Sequence, residues 1–469
     1  MERVGQNGHP AAGRWPAPAA TGPVHARLSV PGSKSMTNRA LVLAALADGP
    51  GTIVGPLHAR DTLLMRAALT ALGATITDEI PNDADAAGPA PSWQVTPGRP
   101  AADASVDVGN AGTVLRFAPP VAALTGVRVA FYGDARAAER PVGPVLAALR
   151  ELGAAIDDGG RGGIPFTVRG TGSLPGGVVT VDASASSQFV SGLLLAAPRF
   201  DKGAEIRHRG GRAPSGPHIA MTVAMLRDAG AEVDTWRQEP DTPAGAPDTW
   251  RVHPGVIGHH EVIVQPDLSN ALPFLAAALV TGGTVTIAGW PAVTWQPAAQ
   301  ILDLLSGFGA SCTLALKGES AGGMGRRAGD AALTVTGTGR IRPVTADLAD
   351  VGESAPVAAA LAALADGPSR LTGIGHLRRH ETDRLAALAI EIGALGGDVT
   401  ELDDGLEIRP RVLRATGRPF ASYDDHRLVM AAAVLGLAVP GIEVANAATV
   451  GKTFPAFTQL WASMLERVP

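Results

Sequence analysis

Apolar positions along this chain repeat in a fixed order. A helical stretch from Thr37 to Leu46 gives way to a break at Asp48, Gly49, Pro50 and Gly51, then to a short β-branched strand, Thr52 to Val54. A second helix from Asp61 to Leu72 follows, stopped by Gly73 before another strand, glycine being a usual residue just past a helix end. The order returns from Thr113 through Gly126 to Leu149 and Gly153, and again from Ser187 through Gly203 to Leu226 and Gly230. It recurs from Ser269 through Gly282 to Leu305 and Gly309, and from Ser354 through Gly367 to Leu395 and Gly396. A sixth unit starts at Asp425 and ends in a helix predicted from Thr453 to Leu465.

The first helix of each unit is apolar nearly all round, as in Ala271 to Val280 and Leu428 to Val439, which predicts burial inside a domain; the second is more amphipathic. Alternating helices and short strands place the chain in the mixed α/β class. A period of roughly 70–85 residues exceeds that of the common solenoids, so a closed pseudo-symmetric arrangement is expected rather than an open array. Six units divide into two groups of three, with the change near residues 258–266. Stretches rich in Pro, Gly and Asp at 80–92, 238–248 and 318–330 are expected to be surface loops.

Composition narrows the picture. With 469 residues, 46% of them apolar, the chain fills more than one core, which predicts two domains. A formal charge of −5 provides no general basic field for nucleic acid, so any anion site must be local. The single cysteine, Cys312, excludes an intrachain disulfide and fits a cytoplasmic protein. The longest apolar runs fall short of the roughly 20 residues that span a bilayer. Residues 1–21, rich in Pro, Gly and Ala and without a signal-peptide pattern, are expected to form a disordered tail.

The candidate chemistry sits at the starts of helices. Pro31, Gly32, Ser33, Lys34 and Ser35, with Arg39 behind them, open the first unit, and backbone donors at a helix start favour an anion. Asn110, Ala111, Gly112 and Thr113 open the second unit, with Arg116 following and Arg136 and Arg140 after the next strand. Ser184, Ser186, Ser187 and Gln188 offer neutral hydrogen bonds suited to a polyhydroxylated or phosphorylated ligand. His380, Glu381, Asp383 and Arg384 precede a helix in the fifth unit, and the sixth supplies Asp425, His426, Arg427 and Lys452. A cation at a helix start opposes the macrodipole, at a cost of up to about 1 kcal/mol. Arg39, Arg116, Arg384, Arg427 and Lys452 all read as such exceptions, which suggests a shared task rather than solvated charge.

Together these motifs, in order over residues 22–469, resemble the 5-enolpyruvylshikimate-3-phosphate synthase family. The resemblance implies an α/β protein of two pseudo-threefold domains, each of three βαβαββ-like units, with the active site in the cleft between them. It assigns residues 22–32 plus 265–469 to one domain and 33–264 to the other, closing on shikimate 3-phosphate. It implies transfer of the enolpyruvyl group of phosphoenolpyruvate to the 5-hydroxyl of shikimate 3-phosphate, by addition and then elimination of phosphate, with no metal or cofactor. The phosphoenolpyruvate side would use Lys34, Gly112, Arg136, Arg384, Arg427 and Lys452. The shikimate 3-phosphate side would use Lys34, Ser35, Arg39, Ser186, Ser187, Gln188, Ser215, Glu353 and His380, with His218 and His376 near. Glu353 is the candidate base on the hydroxyl; Lys34 and Glu381 are candidates for proton traffic at the methylene.

The resemblance also implies a monomer in the cytoplasm with no nucleic-acid or membrane partner, and inhibition by glyphosate in competition with phosphoenolpyruvate. Four positions depart from the family pattern: Glu353 where many members have Asp, His380 where many have Lys, His218 where many have Tyr, and Phe117 where many have Pro. Three rival readings stand beside it. A sugar-nucleotide enolpyruvyl transferase would need a reactive cysteine, and Cys312 reads as a strand residue. A zinc hydrolase built on His376 and His380 lacks a third ligand motif, and a non-catalytic repeat scaffold would leave the cationic helix starts without a purpose.

Overall fold

The computed structural model describes residues 13–79, 91–237, 248–258, 261–316 and 331–466. Nearly all of the three expected surface loops lies outside the described residues; at their margins, Ser92 opens a strand, Ser92–Thr96, instead of ending a loop.

Among the described residues there are six small sheets, five of them four-stranded with a common order. In one, Ala104–Asp107 runs parallel to Arg128–Tyr132. Next to these lies the antiparallel pair Phe166–Arg169 and Ala155–Asp157. The helix Gly112–Ala123 makes the parallel crossover, and Gly143–Glu151 leads into the hairpin. The crossover helices are the apolar ones: Gly112–Ala123 and Ala355–Ala363 are buried along their whole length, as their sequences require.

Two sheets take their first strand from a distant part of the chain. Glu261–Ile263 runs parallel to Gly51–Val54, and His25–Leu28 runs parallel to Thr284–Ala288. The two connections meet where Gly32 bridges Pro266. Buried apolar side chains accordingly form two cores, one drawn from Met36 to Val264, the other from Ala17 to Val30 together with Leu268 to Met464.

The sixth sheet corrects the expectation of a disordered tail. Arg14–Pro16 pairs antiparallel with Glu443–Ala445, whose other edge holds Phe420–Ala421. Trp15 sets its ring edge-on to Phe457, Ala17 is buried, and Ala17 N donates to Ile442 O at 2.9 Å. Order there comes from residues at the other end of the chain, so local composition gave no sign of it. Residues 1–12 lie outside the described set.

One helix contact aligns the cleft. Pro120 in helix Gly112–Ala123 has no N–H for the Arg116 carbonyl, and helix Gln188–Ala196 packs against that carbonyl through Gly192. A Cβ at Gly192 would collide with it, so only glycine allows the approach.

Candidate functional site

The first wall of the cleft is built on three helix starts. Helix Lys34–Ala45 is capped by Ser33, whose Oγ accepts from Met36 N. Lys34 Nζ lies 3.6 Å from Asp61, and its backbone N donates to Asp267 Oδ2 at 3.2 Å across to the other half. Arg39 stands in the second turn of this helix, not the first. Its Nε donates to Thr222 Oγ1 at 2.7 Å, and its two Nη atoms donate to Ser35 O, Ser191 Oγ and His218 O. All of these are neutral oxygens, and burial lowers the guanidinium to about 9.

Helix Gly112–Ala123 begins without a side-chain cap, so its first N–H groups are left for a ligand in the cavity that Gly112 and Thr113 line. A Cβ on Gly112 would fall 2.6 Å from both Arg116 Nη1 and Arg140 Nη2, so glycine makes room for two guanidinium groups. Arg116 donates to Pro141 O at 2.6 Å and to Gln188 Oε1 at 3.2 Å. Burial and then the like charge of Arg140 hold Arg116 well below its usual value. Arg140 Nη1 donates to Asn110 O at 2.8 Å, while its buried Nε has no hydrogen-bond partner among the described residues.

The second wall is an ion cluster. Arg384, fully buried, reaches Asp425 at 2.7 Å, Glu381 at 3.0 Å and Glu353 at 3.2 Å. Glu353 also accepts from Arg427 Nε at 3.1 Å, and Glu381 accepts from Lys452 Nζ at 2.8 Å. Burial would raise Glu353, but Arg384 and Arg427 outweigh it and hold the carboxyl well below the usual range. Glu381 is likewise held low against burial by Lys452, Arg140 and Arg384. Burial lowers Arg384 less than Asp425, Glu353 and Glu381 raise it.

Helix starts account for this wall differently than expected. Asp383 and Asp425 cap the helices whose first turns hold Arg384 and Arg427, which answers the unfavourable dipole with an adjacent acid. Lys452 is not at a helix start. It ends the 3₁₀ segment Ala447–Lys452, where a cation is favoured, and the last helix begins later, at Phe457.

The walls touch. Arg136 Nε donates to Glu381 O at 3.0 Å, Lys452 Nζ donates to Asn110 O at 2.9 Å, and Arg140 lies 3.7 Å from Glu381. Two adjoining cavities remain between them. One is lined by Gly112, Arg116, Arg140, Arg379 and Glu381. The other is lined by Ser35, Arg39, Ser187, Ser215, His218 and Arg427. Lys34, Thr113, Ser186, Gln188, Glu353 and His380 line both.

Most of the residues singled out in the sequence therefore meet at one place. Three do not line either cavity: Arg384 and Lys452 stand behind Glu381, and Arg136, paired with Glu139, lies to the side. Arg140 and Arg116 occupy the cavity wall instead; the sequence pattern marked both as candidates and Arg116 as one of the cations with a shared task, but neither was assigned to a substrate. The signal was present in the run Arg136 to Pro141, but two arginines four residues apart cannot be ranked before the fold orients them. Burial lowers His218 and His376 to about 4, and holds His380 well below its usual value together with Arg384. The rings of His376 and His380 lie 5.5 Å apart. Among the described residues, no group of three or more His, Cys, Asp or Glu side chains is placed to hold a metal ion. Cys312 is in strand Ser311–Leu316 and outside both cavities, its thiol raised by burial.

The 3-phosphoshikimate 1-carboxyvinyltransferase of Kocuria rhizophila is 51% identical over 458 residues, covering 96% of each chain. An EPSP synthase structure from Acinetobacter baumannii superposes with a TM-score of 0.73 at 24% identity, over 96% of this chain and 97% of that one. The enolpyruvyl transferase NikO from Streptomyces tendae superposes at 0.66 and 18% identity, over 95% and 96%. A family model for EPSP synthase (3-phosphoshikimate 1-carboxyvinyltransferase) matches residues 18–461, and the chain belongs to that family.

Proposed function

We propose that this cleft transfers the enolpyruvyl group of phosphoenolpyruvate to the 5-hydroxyl of shikimate 3-phosphate and releases phosphate. The observation that carries the assignment of roles is the pair of joined cavities, one beside the uncapped Gly112 helix start with Arg116 and Arg140, the other beside Ser35, Ser187 and Ser215, with Lys34 and Glu353 on both. Phosphoenolpyruvate occupies the first, its phosphate on the helix start and the guanidinium forks. Shikimate 3-phosphate occupies the second, where hydroxyl and amide groups suit its ring. The domains, 33–264 against 22–32 with 265–469, close on it.

Glu353 takes the proton of the 5-hydroxyl. As found, Arg384 and Arg427 make it a weak base. A substrate anion that draws away Arg427, which lines the second cavity, returns part of its basicity at the moment of binding. The oxygen then bonds to the central carbon of the enol while Lys34, with Glu381 at the same cavity, supplies a proton to the methylene. Elimination breaks the carbon–oxygen bond to phosphate, the methyl proton returns to Lys34, and the proton on Glu353 leaves with the phosphate. Positive charge from the arginines and lysines stabilises the charge that develops on the leaving group.

Among the described residues no helix is long and apolar enough to cross a membrane; we read the protein as a cytoplasmic monomer. Phosphate release with both substrates, against each alone, tests the function. Release that needs both and is lost in Lys34→Ala supports it; no release from folded protein overturns it. Glyphosate competes with phosphoenolpyruvate on this reading, and unchanged kinetics at saturating glyphosate would exclude that arrangement.

A further inference from the structure

Three bonds join the two walls beside the second cavity, one of them from Ser215, which lines it. Residues 209–215 link strand Ala204–His208 to helix Gly216–Asp228 in the first wall and carry Ser215, with His218 in the first helical turn. On the opposite side, strand Thr345–Asp347 leads to the 3₁₀ turn Gly352–Ser354 that carries Glu353. Arg212 Nη1 donates to Asp347 Oδ2 at 3.0 Å, and its Nη2 donates to Asp350 Oδ2 at 2.8 Å. Ser215 N donates to Ala349 O at 2.7 Å. One guanidinium thus ties together the loop bearing Ser215 and the loop bearing Glu353, and a backbone bond sets their spacing.

The geometry points to Arg212 as a positioning residue: a latch that holds Ser215 and His218 opposite Glu353 when the halves meet, without contacting substrate. The Arg212 side chain is 43% exposed and Asp347 57% exposed, so water screens both ions and their contribution to the folded state is small. Each pair exists only while the halves are together, so it acts wholly on closure. Ser215 reinforces this, since it is held at φ +55°, a conformation that a serine adopts only when its surroundings impose it. The bond to Ala349 O and the capping of Ala349 N by Asp347 Oδ1 are among the surroundings that impose it.

The inference rests on the functional reading above and is tested by steady-state kinetics with salt as the second variable. Arg212→Ala is expected to raise KM for shikimate 3-phosphate about three- to tenfold, the size expected for losing one or two weak ion pairs, with a smaller change in kcat and an unchanged melting temperature. Added sodium chloride should raise KM of the wild type more steeply than that of Arg212→Ala, because only the former has a latch to screen. Arg212→Asp should be worse than Arg212→Ala, and Arg212→Asp with Asp350→Arg should recover part of the loss. Asp347→Asn with Asp350→Asn should reproduce Arg212→Ala from the other side. Equal KM values, parallel salt curves, or a fall in melting temperature that accounts for the kinetic change each overturn the latch. A wild type that releases no phosphate overturns the functional reading instead, and the two failures are distinct.

Discussion

Arg39 on one wall and Arg384 behind the other are both buried, yet they are held in opposite ways. Arg39 is surrounded by two hydroxyls and two carbonyls, and burial pulls it down to about 9. Arg384 is enclosed by Asp425, Glu381 and Glu353, which raise it. On the first wall Arg39 is held among neutral oxygens, and Arg116 and Arg140 repel each other beside Gly112, with Glu381 of the second wall 3.7 Å from Arg140. The second wall arrives with its own anions. A phosphorylated ligand relieves repulsion on the first wall and must compete with carboxylates on the second, which is why binding there can switch the basicity of Glu353.

Removing each arginine breaks or sharpens this contrast. Arg384→Met takes from buried Asp425 its arginine and leaves Glu381 and Glu353 with one close cation each, Lys452 and Arg427, and should cost about 3–5 kcal/mol in denaturant titration, with activity lost. Arg39→Met strands hydroxyls and carbonyls rather than charges, so about 1–3 kcal/mol is expected; equal costs for the two would show that the charge environments do not differ as described.

Acid should act more gently and on both walls. His218 and His376 are near 4 when folded and about 6.5 when unfolded. Between those values the unfolded chain binds more protons, so stability falls as pH drops from about 6.5 towards 4. Each histidine should contribute about 1–3 kcal/mol to that loss, and His376→Phe should flatten the stability–pH curve in this window whatever it does at neutral pH. Glu353 and Glu381, held low, add a further loss only below the ordinary carboxylate range. Gly112→Ala is the smallest change: its methyl meets two guanidinium ends that can shift, so KM for phosphoenolpyruvate should rise about tenfold, near 1.4 kcal/mol, with KM for shikimate 3-phosphate less affected.

Local pattern carried much of the fold. The helix expected from Asp61 to Leu72 is Arg60–Ala71, the strand expected at Thr52 to Val54 is Gly51–Val54, and both rest on spacing within a single unit. The last helix was placed too early, at Thr453 instead of Phe457, because a 3₁₀ segment precedes it. In the site, Lys34, Gly112, Gln188 and Glu381 were legible because motifs hold them near helix starts, whereas Glu353 came from the family resemblance alone. Arg140 was not separable from Arg136, since which of them faces the cleft depends on how the short helix Ala135–Ala138 is docked.

The amino-acid order alone determined the repeated unit, the buried crossover helices and the polar motifs near their starts, because each depends on neighbours a few residues apart. Tertiary structure decided the rest: the pairing of Arg14–Pro16 with Glu443–Ala445, the exchange of strands His25–Leu28 and Glu261–Ile263 between distant units, and the partners of each buried charge. Those outcomes depend on distances between segments far apart in the chain, and Coulomb energy and desolvation follow distance and burial, which no local pattern encodes.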